Sequence, residues 1–388
     1  MSRQVPIGVG VIGCGYWGPN LVRNFARSEL TRAVAVCDVE IDRARKIGDW
    51  YGVKLVTAQA RELILDPAVD LVCIATPSRW HHALAREAIA AGKHVLVMKP
   101  MTTSVEEAEE LVDAAERQGV LLAVDHTFVY SAAVRKLREI TTTGELGQLY
   151  YIDSVRINLG AFQSDINVIW DLAPHDISII DYILGGVMPT EVSAVAASHA
   201  GSRVENLAYL TLSFGASVMA HVHVNWLAPA KIRRTIVGGS RKMVVYDDVQ
   251  PSEKLLVYDR GVTIDHETEA EQVYRQLVSY RTGDVRAPRL DDREALAVEA
   301  DHIAAAILTG GRPDVDGHAG LRAVRILAAA ELSARTGTSI RLGTAGDLVA
   351  LPVNGSPAVG VPEAISTGSE GETGAVEGLW QGVGERLP

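Results

Sequence analysis

The chain has 388 residues, 47% of them hydrophobic and 22% charged, with a formal net charge of −11. That length suggests roughly two to three domains and ample material for a core. The acidic balance argues against a nucleic-acid partner, which needs a basic face, and no apolar run is long enough for a membrane span.

The first run, residues 7–12, is apolar and β-branched and leads directly into Gly13-x-Gly15-x-x-Gly18, with a helical pattern over 19–27. Gly8 and Gly10 break the run, so it reads as a strand and not as a leader peptide. A G-x-G-x-x-G that follows a strand and opens a helix has a specific physical reading. Gly13 permits the tight turn, Gly15 lets the backbone approach a pyrophosphate, and Gly18 lets helix and strand lie close. Tyr16 and Trp17 lie inside that turn. The helix N-terminus presents free N–H groups to phosphate. The next strand, 33–37, ends at Asp38, about twenty residues past Gly18, where a carboxylate holds adenosine ribose hydroxyls. It would repel a 2′-phosphate, and Val39 and Glu40 offer no cation, so the cofactor reads as NAD and not NADP. The alternative is a glycine turn and an ordinary strand-end Asp.

Strands at 70–75, 94–97 and 120–124 then alternate with helical patterns at 41–50, 58–65, 80–91 and 104–118. Continuously apolar strands imply a sheet covered on both faces, so residues 1–127 read as an α/β, doubly wound parallel sheet. Ligands lie beyond the carboxyl ends of such strands. Three segments end there: Ala75-Thr76-Pro77, Met98-Lys99-Pro100 and Asp125-His126-Thr127. Lys99, fixed by Pro100, would point into the cleft, hydrogen-bond a substrate oxygen and stabilise alkoxide charge. The alternative is a solvated loop lysine. His81 and His82 open a helix, where either approaches the cofactor or faces water. Cys14, Cys37 and Cys73 lie in or beside apolar strands without C-x-x-C spacing, which points to reduced core thiols and a cytoplasmic setting.

After Phe128 the pattern changes. A helix at 131–142 precedes alternating strands at 148–158, 190–198, 204–214, 217–226, 231–237, 241–247 and 253–258. A helix at 173–184 interrupts them, and helices near 292–309 and 318–336 follow. Alternation implies one buried and one open face, hence a large, mostly antiparallel sheet over 128–351. An open face suits a second copy, so a homodimer or homotetramer is expected. Residues 352–388 are rich in Gly, Ser, Pro and Glu and read as a disordered tail. Asp171 and His175, four apart, share a helix face. His175 would take a hydroxyl proton while Asp171 supports the imidazolium; alternatively Asp171 caps the helix and His175 is structural. Arg156 and Asn158 share a strand face and, with His126, are candidates to line a substrate pocket. Lys231, Arg233, Arg234, Arg241 and Lys242 form a basic cluster that meets a sugar diphosphate or a solvated edge. His221 and His223 share a strand face without a third ligand, so no metal is expected.

The order Gly13-x-Gly15-x-x-Gly18, Ala75-Thr76-Pro77, Lys99-Pro100 and Asp171-x-x-x-His175 resembles the Gfo/Idh/MocA family of sugar and inositol dehydrogenases, over about residues 5–345. The resemblance implies a Rossmann domain followed by an open-sheet α/β domain. It implies cofactor contacts from Gly13, Gly15, Tyr16, Trp17, Gly18, Asp38, Thr76, Pro77, His81, Lys99 and Pro100. Lys99, Asp171 and His175 would surround the hydroxyl being oxidised. Met98 stands where the family usually carries glutamate. Residues 15–20, 125–128 and 170–176 resemble the branch acting on nucleotide-linked sugars, which oxidises the 3-hydroxyl of a UDP-N-acetylhexosamine or its uronate. Other readings are an inositol or polyol dehydrogenase, a 3-keto sugar nucleotide reductase, and a non-catalytic NAD-binding regulator.

Overall fold

The computed structural model describes residues 6–160, 166–215, 218–264, 278–343 and 348–350. Its first part alternates β1 (Ile7–Ile12), α1 (Gly18–Arg27), β2 (Thr31–Cys37), α2 (Ile41–Tyr51), β3 (Leu55–Thr57), α3 (Ala60–Leu65), β4 (Leu71–Ile74), α4 (His81–Ala90), β5 (His94–Met98), α5 (Val105–Gln118) and β6 (Leu122–Asp125). The six strands are parallel in the order β3-β2-β1-β4-β5-β6. Every residue of β1 and β4 is buried, as continuous apolar strands require when helices cover both faces. The order reverses between β1 and β4, which opens a crevice beyond their carboxyl ends. The short edge strand β3 has no counterpart in the sequence reading; three residues, two of them half-buried, carry too little pattern.

Local rules set the helix ends. Ser104 Oγ accepts from the Glu107 N–H at 3.2 Å and caps α5, which Gly119 closes in the left-handed region.

The second part holds α6 (Ala132–Thr142), β7 (Leu149–Leu159), α7 (Val168–Leu184), β8 (Glu191–Ala197), β9 (Leu207–Phe214), β10 (Val218–Asn225), β11 (Leu227–Gly239), β12 (Met243–Asp247), β13 (Leu255–Tyr258), β14 (Gly261–Ile264), β15 (Val278–Arg281) and β16 (Val285–Arg286). It ends with α8 (Ala295–Thr309), α9 (Gly317–Thr336), β17 (Ile340–Leu342) and β18 (Leu348–Ala350). Ten strands form one sheet, β16-β13-β12-β11-β7-β10-β9-β8-β17-β18, with β7 and β10 parallel and its other registered pairs antiparallel. Alternation holds as read: Ala220, Val222 and Val224 of β10 are buried, whereas Met219, His221 and His223 are not. The helix α7 packs on the inner face, and α8 and α9 return to lie against α1 and α5.

The start of α7 differs from the sequence reading. It begins at Val168, capped by Asn167, whose Oδ1 accepts from the N–H groups of Ile169 and Trp170 at 3.1 and 3.2 Å. Asp171 therefore sits in the first turn and is not the cap, and Pro174 lies inside the helix. Proline favours first-turn positions, so Pro174 in the sequence points to a later start than the one Asn167 sets. The tail reading for 352–388 lies outside the described residues.

Candidate active site

The glycine turn shows what each glycine does. Gly13 has φ +97°, and a Cβ on it would fall 2.5 Å from the Ala75 carbonyl oxygen. A Cβ on Gly18 would fall 1.9 Å from the Gly13 carbonyl oxygen. Those two glycines serve the turn's own packing. A Cβ on Gly15 would meet nothing within 4 Å, so that side of its backbone faces open space just before α1. This cradle fits a dinucleotide pyrophosphate. Asp38 Oδ2 accepts from the Cys14 N–H at 2.7 Å and its Oδ1 from the Glu40 N–H at 2.9 Å. It thus braces the glycine turn, and a carboxylate offers roughly four acceptor positions, so capacity remains for ribose hydroxyls.

His81 is buried and faces neither cofactor space nor water. Its Nε2 meets the Thr76 carbonyl at 2.9 Å and its Nδ1 the Pro100 carbonyl at 2.8 Å, so it ties the two cleft loops together. Burial lowers its pKa. His82 lies on the outside, 2.9 Å from Glu110. The three cysteines are buried and unpaired; burial first and Asp38 next push the thiol of Cys14 up to about 12 and that of Cys37 to about 11.

Beyond the glycine turn lies a cleft of about 740 Å³. Tyr16 and Trp17 line it, as do Lys99, Asp171 and His175. The Lys99 ammonium donates to the Asp171 carbonyl at 2.5 Å and to its Oδ1 at 3.2 Å. The Trp226 indole donates to Asp171 Oδ2 at 3.1 Å. One turn along α7, His175 Nδ1 is buried without a hydrogen-bond partner, and its ring meets Phe128 edge-on at 5.0 Å. Burial above all, then the positive neighbours Lys99, Arg156 and Arg233, hold its pKa well below the usual histidine range. The expected support of an imidazolium by Asp171 is therefore corrected: Asp171 is engaged by Lys99 and Trp226, and His175 rests neutral.

The three expected pocket-lining residues are not among those that line the cleft. Arg156 is 3% exposed and bidentate on Asp176, Nε to Oδ2 at 2.7 Å and a terminal nitrogen to Oδ1 at 3.2 Å, beneath Phe128. Asn158 lies farther along β7 beside Gly160. His126 is buried, both ring nitrogens lack partners, and burial followed by the Lys99 charge lowers its pKa to about 3. Strand alternation gives a shared face but not whether α7 covers it.

The basic cluster divides. Lys231 and Arg233 enter the cleft wall, joined by Lys254, which sequence reasoning missed. Arg233 and Lys254 share one carboxylate, Asp248, at 3.3 and 3.6 Å. Lys231 has no ion-pair partner among the described residues. Arg234 pairs with Asp247 at 3.0 Å, and Lys242 with Glu145 at 3.0 Å, away from the cleft. Trp226 and Lys254 carried no motif that would have assigned them a role, and Phe128 was read only as part of the 125–128 resemblance. His221 lies 3.3 Å from Asp153, and His221 and His223 both stack on Tyr209. Among the described residues no three His, Cys, Asp or Glu side chains gather as a metal site.

Comparison with known proteins gives two family matches. Residues 7–126 match the GFO/IDH/MocA oxidoreductase family with its NAD-binding Rossmann fold, and residues 134–245 match the GFO/IDH/MocA C-terminal domain. UDP-N-acetylglucosamine 3-dehydrogenase of Acidithiobacillus ferrooxidans is 28% identical over 329 residues, 83% of this chain and 94% of that one. scyllo-Inositol 2-dehydrogenase (NADP(+)) of Bacillus subtilis is 24% identical over 351 residues, 87% of this chain and 94% of that one. The crystal structure of GenD2 from gentamicin A biosynthesis, in complex with NAD, shares the fold with a TM-score of 0.74 at 23% identity, covering 88% of this chain and 98% of that one.

Proposed function

Because the chain belongs to the Gfo/Idh/MocA family of NAD-binding oxidoreductases, we propose that it moves a hydride between a secondary hydroxyl carbon of a sugar and nicotinamide. One observation carries this reading: Lys99 from the end of β5 and Asp171 and His175 from α7 converge in a cleft that also contains the glycine turn. NAD, when bound, supplies the hydride acceptor. Every other task falls to side chains. Asp171 and its carbonyl hold the Lys99 ammonium, which donates to the substrate oxygen and stabilises alkoxide charge. His175, kept neutral, offers a lone pair to the hydroxyl proton. Gly15 leaves room for the pyrophosphate, and Asp38 steadies the turn around it.

The finer reading is oxidation at C3 of a nucleotide-linked sugar, a UDP-N-acetylhexosamine or its uronate. Two observations support it. A relative of that activity aligns along most of the chain. Lys231, Arg233 and Lys254 put three cations against one carboxylate, Asp248, on one stretch of the wall, which suits a diphosphate or a carboxylate. The inositol dehydrogenase relative favours a second reading, a free polyol. NADH formation measured with UDP-N-acetylglucosamine, its uronate and scyllo-inositol separates the two. We expect turnover with a UDP sugar; turnover with inositol alone overturns the finer reading. In the same assay Lys99→Met loses turnover while NAD still binds by calorimetry, because the ammonium acts on the substrate oxygen. Near-normal turnover of that variant overturns the mechanism.

A further inference from the structure

A second cavity, of about 730 Å³, adjoins the cleft. Ala132, Leu290, Asp291 and Arg293 line both, so the two meet between the start of α6 and the segment that leads into α8. Its volume falls in the range of small-molecule sites, roughly 300–1,000 Å³. Five cations and two carboxylates line it, a local excess of positive charge in a chain whose net charge is −11. The two carboxylates are already engaged. Glu139 pairs with Lys136 at 2.7 Å, and Asp291 Oδ1 accepts from the Arg293 N–H at 3.1 Å. The Arg293 side chain pairs with Asp301 at 2.5 Å. Three guanidinium groups remain. Arg135 meets a carboxylate only at 3.9 Å, on Asp314. Arg138 and Arg289 pair with none among the described residues, and Arg289, which is exposed, makes no hydrogen bond there either.

Two of the three are held in place. Arg135 and Arg138 stand three residues apart on one face of α6. The Arg135 guanidinium lies over the Tyr130 ring, 5.7 Å from its centroid, and that of Arg138 over the Tyr182 ring at 4.2 Å. Both tyrosines are buried, so each ring is a fixed platform. Arg138 also donates from one terminal nitrogen to the Tyr182 carbonyl at 2.5 Å. A guanidinium has five N–H donors, so most of them stay free for a ligand. An arginine stacked in this way has already lost much of its rotamer freedom, and its planar fork matches phosphate oxygens. Arg289 adds a third positive group from the segment before α8. Preorganised guanidinium groups that no carboxylate neutralises suit a ligand with more than one negative charge.

We propose that this cavity holds the diphosphate end of the substrate while its sugar reaches Lys99 and His175 in the cleft. The proposal rests on the oxidoreductase reading and names the substrate class of that site, a sugar joined to a nucleoside diphosphate. It gives the two basic regions different tasks. Arg233 lies over the Phe128 ring, 5.7 Å from its centroid, and Phe128 meets the His175 ring at 5.0 Å. The stretch with Lys231, Arg233 and Lys254 therefore belongs to the sugar end and is left for a carboxylate on the sugar itself. No bond is made or broken in the second cavity, so its arginines act on substrate affinity and not on the chemical step.

The test is calorimetric titration of the full chain with UDP, which carries the diphosphate without the sugar, together with steady-state NADH formation from UDP-N-acetylglucosamine and its uronate. We expect UDP to bind the unaltered protein, more weakly as salt rises, and to compete with the UDP sugar. Arg138→Met combined with Arg289→Ala should weaken UDP binding and raise KM for the UDP sugars at least about tenfold, as the loss of charge-assisted contacts requires, with kcat and NAD affinity near normal. If Arg138→Met does not fold, Arg289→Glu alone, at an exposed position without a partner, should show the same split between KM and kcat. Unchanged UDP affinity and unchanged KM in these variants overturn the proposal and return the diphosphate to the cleft. Inhibition by UDP that is not competitive with the UDP sugar also overturns it, since UDP would then occupy an effector site apart from the substrate. The titration needs no turnover. An unaltered protein that forms no NADH from any UDP sugar overturns the reading beneath the proposal, a result distinct from a cavity that takes up no UDP.

Discussion

His126 and His175 show how burial sets proton affinity one residue at a time. The His126 ring takes up its second proton only near pH 3, against 6.5 for an ordinary histidine, because no partner repays its desolvation and Lys99 repels added charge. In the unfolded chain the same ring binds a proton near 6.5. Between those two values the unfolded state carries the extra proton, so stability rises with pH across the window. The contribution is full above 6.5 and is lost as pH falls toward 3. His175 acts in the same direction. Melting temperature should therefore fall with acidification through this window, and His126→Phe should fall less steeply. Equal slopes for the two proteins would show that the folded ring takes up the proton. Residue identity announced Lys99, Asp171 and His175 because their chemistry and chain order are distinctive. It did not announce that Arg156 spends its guanidinium on Asp176 inside the protein, because strand alternation says which residues share a face and not what covers it.

Elements were most legible where local rules agree with packing. The run 7–12, the capped helix after Ser104 and the alternating strands of the second sheet all carry periodicity that one neighbouring layer explains. The start of α7 was less legible: Asn167 caps it with a short side chain, whereas Pro174 offers a louder but misleading signal. Edge strand β3 needs its neighbour β2 to exist and has little pattern of its own. The glycine turn between β1 and α1 yields a prediction at this scale. Gly15→Ala adds a methyl where nothing lies within 4 Å, so folding should be unaffected while NAD affinity drops through intrusion on the pyrophosphate. Gly18→Ala puts a methyl 1.9 Å from the Gly13 carbonyl oxygen, so it should lower the melting temperature itself. Paired melts and calorimetric NAD titrations check both. If Gly15→Ala binds NAD as tightly as the unaltered protein, the cofactor does not lie over this turn.

At the scale of the molecule, the two sheets do different work. The parallel sheet is buried on both sides and sets the cleft; the ten-stranded sheet buries one face under α7 and leaves the other without a layer among the described residues. Cross-strand register places Val195 beside Tyr209 and Tyr209 beside His223, with Met219 opposite Tyr151, and Val195, Tyr209, Met219 and Tyr151 are all exposed. An exposed face carrying these apolar and aromatic side chains suits an interaction surface. The chain's net charge of −11 sets copies apart by repulsion, so an association through this face has to come from apolar burial. No helix of the described residues is long and apolar enough to cross a membrane. We propose a second copy, giving a homodimer or homotetramer, as its occupant. Light scattering on the purified protein should then report a multiple of the 41.6 kDa chain mass. Val195→Lys combined with Tyr209→Lys should shift it to the monomer, since two new cations per copy would meet across the contact. Neither Val195 nor Tyr209 lines the cleft, so first-turnover NADH formation should survive the substitution. A monomer in the unaltered protein, or an assembly indifferent to both lysines, would assign the exposed face to something other than self-association.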